Sequence, residues 1–129
     1  MKCVLDASAL LAFLQREPGE AVVREALQAR PEMTSVNLGE VAHRLMLTNR
    51  PRGEIEILLS DLKILIHPVD RELALEAGYA AVFAKPYGLS FADRICLMLA
   101  KRLNLPTLTS DRRMADASDA LGVKVELIR

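Results

Sequence analysis

Short apolar runs alternate with helix-length amphipathic segments along this chain, and that alternation admits few folds. Lys2–Leu5, Met33–Ser35, Lys63–His67, Thr107–Thr109 and Val123–Ile128 are brief, β-prone runs of the kind that become buried strands. Between them, Ala7–Gln15, Glu20–Ala29, Asn37–Thr48, Glu54–Leu62, Arg71–Lys85, Phe91–Leu103 and Arg112–Leu121 read as helices. Strand and helix in repetition predict an α/β fold, a parallel five-stranded sheet with helices on both faces and right-handed crossovers. The 129 residues suit one domain, 1–129, and half of them are hydrophobic, enough for a sizeable core.

One stretch concentrates the signals. In Leu89–Asp111, Ser90 is placed to cap a helix, and Asp93 follows it by three residues. Ile95, Leu99 and Leu103 then repeat at four-residue spacing, and Arg94, Lys101 and Arg102 leave only a thin polar stripe, so the helix is expected to be mostly buried. Asn104 and Pro106 end it, Thr107–Thr109 is the next strand, and Asp111 stands just past that strand's end. Parallel sheets build their sites at the carboxyl ends of strands, where Asp111 falls.

Three other acids or strand ends share this setting. Asp6 closes the first strand, Glu40 is expected in the first turn of a helix opened by Asn37, and Asp93 opens the long helix. Each has a plain explanation, since an acid at a helix N-terminus favours the dipole and caps free N–H groups. Four of them at one sheet edge would be a different matter. Two like charges about 4 Å apart cost ~4 kcal/mol at an effective dielectric of 20, and a divalent cation removes that penalty. Oxygen ligands without a His or Cys cluster favour Mg²⁺ or Mn²⁺ over zinc, and such a site can activate water for phosphodiester cleavage.

Composition narrows the setting. Seventeen basic residues balance seventeen acidic ones, so any surface for nucleic acid must be local. Cys3 and Cys96 lie in apolar contexts and read as small core residues of a reducing compartment. No signal peptide precedes the first strand, and no apolar run reaches the ~20 residues a membrane helix needs, so a cytoplasmic protein is expected. Three Phe, two Tyr and no Trp leave few platforms for stacking bases. Arg94, Arg112 and Arg113 follow two of the acids and could hold phosphates, with Arg50 and Arg52 extending the track; an ordinary charged helix face explains them equally well. His43, beside Arg44, reads as a surface residue, and His67 has no second histidine at ligand spacing.

Taken in order, VLDASALLAFL around Asp6, SVNLGEV around Glu40, LSFADRICLMLAKRLNLPTLTSD around Asp93 and LTSDRRMA around Asp111 resemble the PIN-domain ribonucleases, and among them the VapC-type toxins of toxin–antitoxin pairs. The resemblance covers essentially the whole chain. It implies a three-layer α/β/α fold with sheet order 3-2-1-4-5, Mg²⁺- or Mn²⁺-dependent cleavage of RNA, a homodimer, and an antitoxin that fills the active-site groove. It carries the roles of metal-binding and catalytic acids onto Asp6, Glu40, Asp93 and Asp111. It places supporting hydroxyls at Thr109 and Ser110 and makes Asp116 a further candidate, although a solvated helix position accounts for Asp116 as well.

Rival chemistries lack their residues. A phosphorylation-dependent receiver needs paired acids after the first strand and an Asp ending the third, but Asp6 has no acidic neighbour and the third strand ends in His67-Pro68. A haloacid-dehalogenase-type phosphatase needs a second Asp where Ser8 stands. A PIN-like scaffold that only binds RNA or protein stays open as the alternative.

Overall fold

The computed structural model describes residues 1–129. Five strands form one parallel sheet: β1 (Val4–Leu5), β2 (Glu32–Thr34), β3 (Leu65–His67), β4 (Thr107–Thr109) and β5 (Val125–Leu127), in the order β3-β2-β1-β4-β5. β1, β3 and β5 are shorter than their apolar runs, β4 coincides with its run, and β2 lies one residue earlier than expected. Val4 lies opposite both Glu32 and Thr107, and Leu5 opposite Leu108. Parallel pairing demands a crossover between neighbours, and helices supply each one. The crossovers are α1 (Ala7–Leu14) with α2 (Glu20–Gln28), α3 (Ser35–Met46) with α4 (Arg52–Asp61), α5 (Arg71–Tyr79), α6 (Ala81–Ala84) and α7 (Phe91–Leu103), and finally α8 (Arg112–Asp116) with α9 (Ser118–Leu121).

Side chains alternate across a strand, so successive residues of β1 feed different cores. Val4 joins Leu73, Ala77, Ile95–Ala100 and Met114 on one side; Cys3 and Leu5 join Leu10, Val23, Met33, Val41 and Leu45 on the other. Three layers result. α7 is the most buried helix, with every residue from Ile95 to Ala100 sealed from water. Asn104, in the left-handed conformation that asparagine tolerates, stops it. Both cysteines are free and buried, and no helix is long and apolar enough to cross a membrane.

Three boundaries depart from the sequence reading. Ser35 begins α3 instead of ending β2, because the Thr34 hydroxyl accepts the Asn37 N–H at 3.0 Å and caps the helix there. Asn37 is therefore inside the helix, and Glu40 stands in its second turn. The single helix expected over Arg71–Lys85 divides after Tyr79 and tightens into a 3₁₀ turn at Lys85–Tyr87. Gly78 weakens the helix just before the division, Pro86 forbids its continuation, and the Ala77 carbonyl accepts a 2.8 Å hydrogen bond from Arg94. The last helix also divides, at Ala117, beside Ser118, whose hydroxyl donates to the Val123 carbonyl.

The sheet order turns at β1, with β2 on one side and β4 on the other. Chains leaving the carboxyl ends of β1 and β4 diverge there, which opens a crevice at a topological switch point.

Candidate functional site

Asp6 leaves β1 at that crevice and caps α1. One carboxylate oxygen accepts the Ala9 N–H and the Ser8 hydroxyl, both at 2.8 Å, and the other accepts the Thr109 hydroxyl at 2.5 Å. The side chain is nearly sealed, with 5% of its residue surface exposed. Burial pushes its carboxyl up to about 6 against the pull of those three hydrogen bonds, and the nearby Asp93 charge raises it further. Thr109 does double duty: its oxygen also accepts the Asp111 N–H at 2.9 Å, tying the end of β4 to the end of β1. Ser110 contributes its backbone, donating to the Ser8 hydroxyl at 3.0 Å.

Asp111 caps α8, but its dominant partner is Arg113. The guanidinium meets both carboxylate oxygens, at 3.2 and 2.9 Å, and also donates to the Gly88 carbonyl at 3.1 Å. Those bonds hold the Asp111 carboxyl below the usual carboxylate range. Asp93 forms a complete capping box with Ser90, so the capping explanation holds for it as geometry. Glu40 is held by Asn37, whose amide nitrogen donates to it at 2.6 Å. Asn37 is 2% exposed, and its amide oxygen has no partner. Reversing that amide would set oxygen against oxygen at Glu40, so the orphan is the acceptor.

These elements enclose an open cleft of about 600 Å³ on which Asp6, Glu40, Asp93 and Asp111 all border, together with Ser8, Asn37, Gly39, His43 and Arg44. The Cys96 thiol beneath it registers the convergence. Burial pushes it up, and the charges of Asp6, Asp93 and Glu40 push it further. The acids are not yet a ligand sphere: in their hydrogen-bonded positions no three of them stand close enough to share one ion. Asp6 is fixed by three donors. Glu40, Asp93 and Asp111 each border open space and would have to turn from Asn37, Ser90 and Arg113 to meet it. The donor set on the cleft fits a hard divalent cation, being carboxylate oxygens.

Other residues named from sequence are placed elsewhere. Asp116 is exposed on α8 and does not line the cleft. Arg94 is committed to the Ala77 carbonyl and lies 5.2 Å from the Phe91 ring centre, not on the cleft. Arg112 is exposed and does not line the cleft either, and Arg113 is a clamp on Asp111. His67 pairs with the buried Glu32 at 2.7 Å, away from the site. Conversely, Ser8, Asn37 and the α3 residues Gly39 and Arg44 belong to the cleft without having been named as site residues, and His43, read as a surface residue, is exposed and lines the cleft as well. Spacing carried their signal: Ser8 follows Asp6 by two, and Asn37, His43 and Arg44 flank Glu40 by three or four.

A family model described as PIN domain matches residues 3–120. No curated protein sequence matches significantly. Among solved structures, a toxin–antitoxin complex from Klebsiella pneumoniae superposes with a TM-score of 0.75 at 15% identity, covering 98% of each chain. A DNA-bound VapBC from Salmonella typhimurium gives 0.76 at 14% identity, over 100% of this chain and 99% of that one. PAE2754 from Pyrobaculum aerophilum gives 0.68 at 18%, over 99% and 90%. At these identities the likeness is one of fold.

Proposed function

The chain belongs to the PIN domain family, and from that premise we propose that it is a divalent-metal-dependent endoribonuclease, the toxin of a type II toxin–antitoxin pair. The observation that carries this reading is the meeting of Asp6, Glu40, Asp93 and Asp111 on one cleft at the sheet's switch point. As a structural arrangement alone it is costly, because a buried carboxylate faces like charges with no cation among its partners. Mg²⁺ or Mn²⁺ would be held by these four acids; when bound it supplies an activated water and charge stabilisation for phosphodiester hydrolysis.

The chain's own residues set the stage for that chemistry. Asp6 is the fixed ligand, locked by Ala9, Ser8 and Thr109. Thr109 orients Asp6 and Asp111 together, so it acts as a supporting hydroxyl. Asp93 and Glu40 reach the cleft from helices on either side of the sheet's carboxyl edge, so a phosphodiester lying in the cleft meets acids from both walls. The fold likeness to a toxin–antitoxin complex from Klebsiella pneumoniae supports an antitoxin protein as the regulatory partner; a cytoplasmic homodimer completes the proposal.

A labelled RNA incubated with the purified protein tests the proposal. Cleavage in Mg²⁺ or Mn²⁺ that stops with EDTA is the expected result. RNA left intact under every metal condition, but retained by the protein, would favour a catalytically silent binding module instead.

A further inference from the structure

Arg44 occupies the setting of an ion pair that is not made. It follows Glu40 by one turn of α3, at the spacing where Glu and Arg ordinarily join on a helix surface, and both line the cleft. Glu40 instead turns back to Asn37. Arg44 takes part in none of the chain's ion pairs and is exposed at the cleft rim. Of the other arginines near the acids, Arg113 is engaged by Asp111 and Gly88, Arg94 by the Ala77 carbonyl, and Arg112 does not line the cleft. Arg44 is thus the free arginine on this cleft.

A second observation lies on the same wall. Gly39 sits inside α3, where glycine weakens a helix relative to alanine. Packing does not require it, since a Cβ built there would meet nothing within 4 Å. Its missing side chain leaves a stretch of bare helix facing the cleft one residue before Glu40. A cleft bordered by four carboxylates repels a polyanion, so a substrate strand needs a cation to anchor it and room to approach.

We infer that this face of α3 is the seat of the substrate's sugar–phosphate backbone. Arg44 grips a phosphate beside the acids, and bare Gly39 lets the strand lie against the helix. The planar guanidinium suits phosphate by offering two parallel donors. The inference rests on the ribonuclease reading and adds the wall that positions the strand.

Multiple-turnover cleavage of a short labelled single-stranded RNA at fixed Mn²⁺ and varied monovalent salt tests it. In Arg44→Ala we expect KM to rise about tenfold, with kcat within about twofold of wild type, the mark of lost uniform binding. Its plot of log kcat/KM against log salt becomes shallower by about 0.7, as for one lost phosphate contact on a single strand. Arg44→Lys restores the slope but only part of KM. Gly39→Leu raises KM without lowering the melting temperature. An Arg44→Ala protein with wild-type KM and salt slope overturns the inference while leaving the ribonuclease reading intact. A wild-type protein that cuts no RNA overturns the reading and the inference together.

Discussion

Asp6 is the carboxylate that cannot turn away, and its energetics carry the sharpest residue-scale prediction. Its carboxyl sits at about 6 in the folded chain, against about 3.9 for an unfolded aspartate. The folded state therefore binds this proton more tightly than the unfolded state does. That contribution to stability is complete below about pH 4 and is lost as the pH rises through about 6, a fall of about 3 kcal/mol by linkage. In EDTA, denaturant unfolding of the wild type should show this decline, and Asp6→Asn should remove it; parallel profiles would mean that Asp6 is not the strained group. The places of Asp6, Asp93 and Asp111 were legible in the sequence because each sits at a strand end or helix start, whereas Glu40 falls in the second turn of α3 and not the first. The fates of Arg94 and Arg113 were not legible. Arg94 depends on the Ala77 carbonyl, brought near by distant chain, and Arg113 adds the Gly88 carbonyl to its near neighbour Asp111; no local pattern announces either carbonyl.

At the scale of elements, α7 shows how capping and chemistry coexist in one side chain. Asp93 closes a capping box with Ser90 and still borders the cleft. An asparagine oxygen can accept the Ser90 N–H as well, so Asp93→Asn should shift stability by less than about 1 kcal/mol, the scale of a lost charge at the dipole. RNA cleavage should fall by two decades or more, at least ~2.7 kcal/mol of transition-state stabilisation. Full activity in this variant, measured beside its unfolding curve, would reduce Asp93 to a cap. Most element types could be read from period and punctuation, as with the Asn104 and Pro106 stop of α7. The misplaced start of α3 has a local cause: Thr34, Ser35 and Asn37 are all capable caps, and only the folded geometry selects Thr34. The division at Tyr79 was not read because the alanine-rich sequence favours helix throughout and outweighs the signals of Gly78 and Pro86.

At the scale of the molecule, the two cores clamp short strands, and the sheet order leaves its carboxyl edge open for the cleft. A homodimer, as the family resemblance implies, needs exposed apolar surface to bury. α7 holds little, being buried within the chain. Exposed apolar side chains include Tyr79, Val82 and Phe83, with Val82 at 77% exposure, together with Ile57 on α4 and Met46 and Leu47 at the end of α3. Sedimentation equilibrium should still give a dimer at micromolar concentration, and Phe83→Glu should weaken it; a monomeric wild type would contradict the homodimer.

The claim beneath all of these is that the acids of the cleft share a divalent cation. The most direct measurement is the melting temperature of the purified protein against Mn²⁺ concentration, for wild type and Asp6→Asn side by side. The wild type should rise with occupancy, following the logarithm of metal over its dissociation constant once near saturation. Asp6→Asn should begin at a similar or higher temperature and stay flat. A wild-type melt unmoved by millimolar Mn²⁺, or an Asp6→Asn protein that rises in parallel with it, would contradict the shared site.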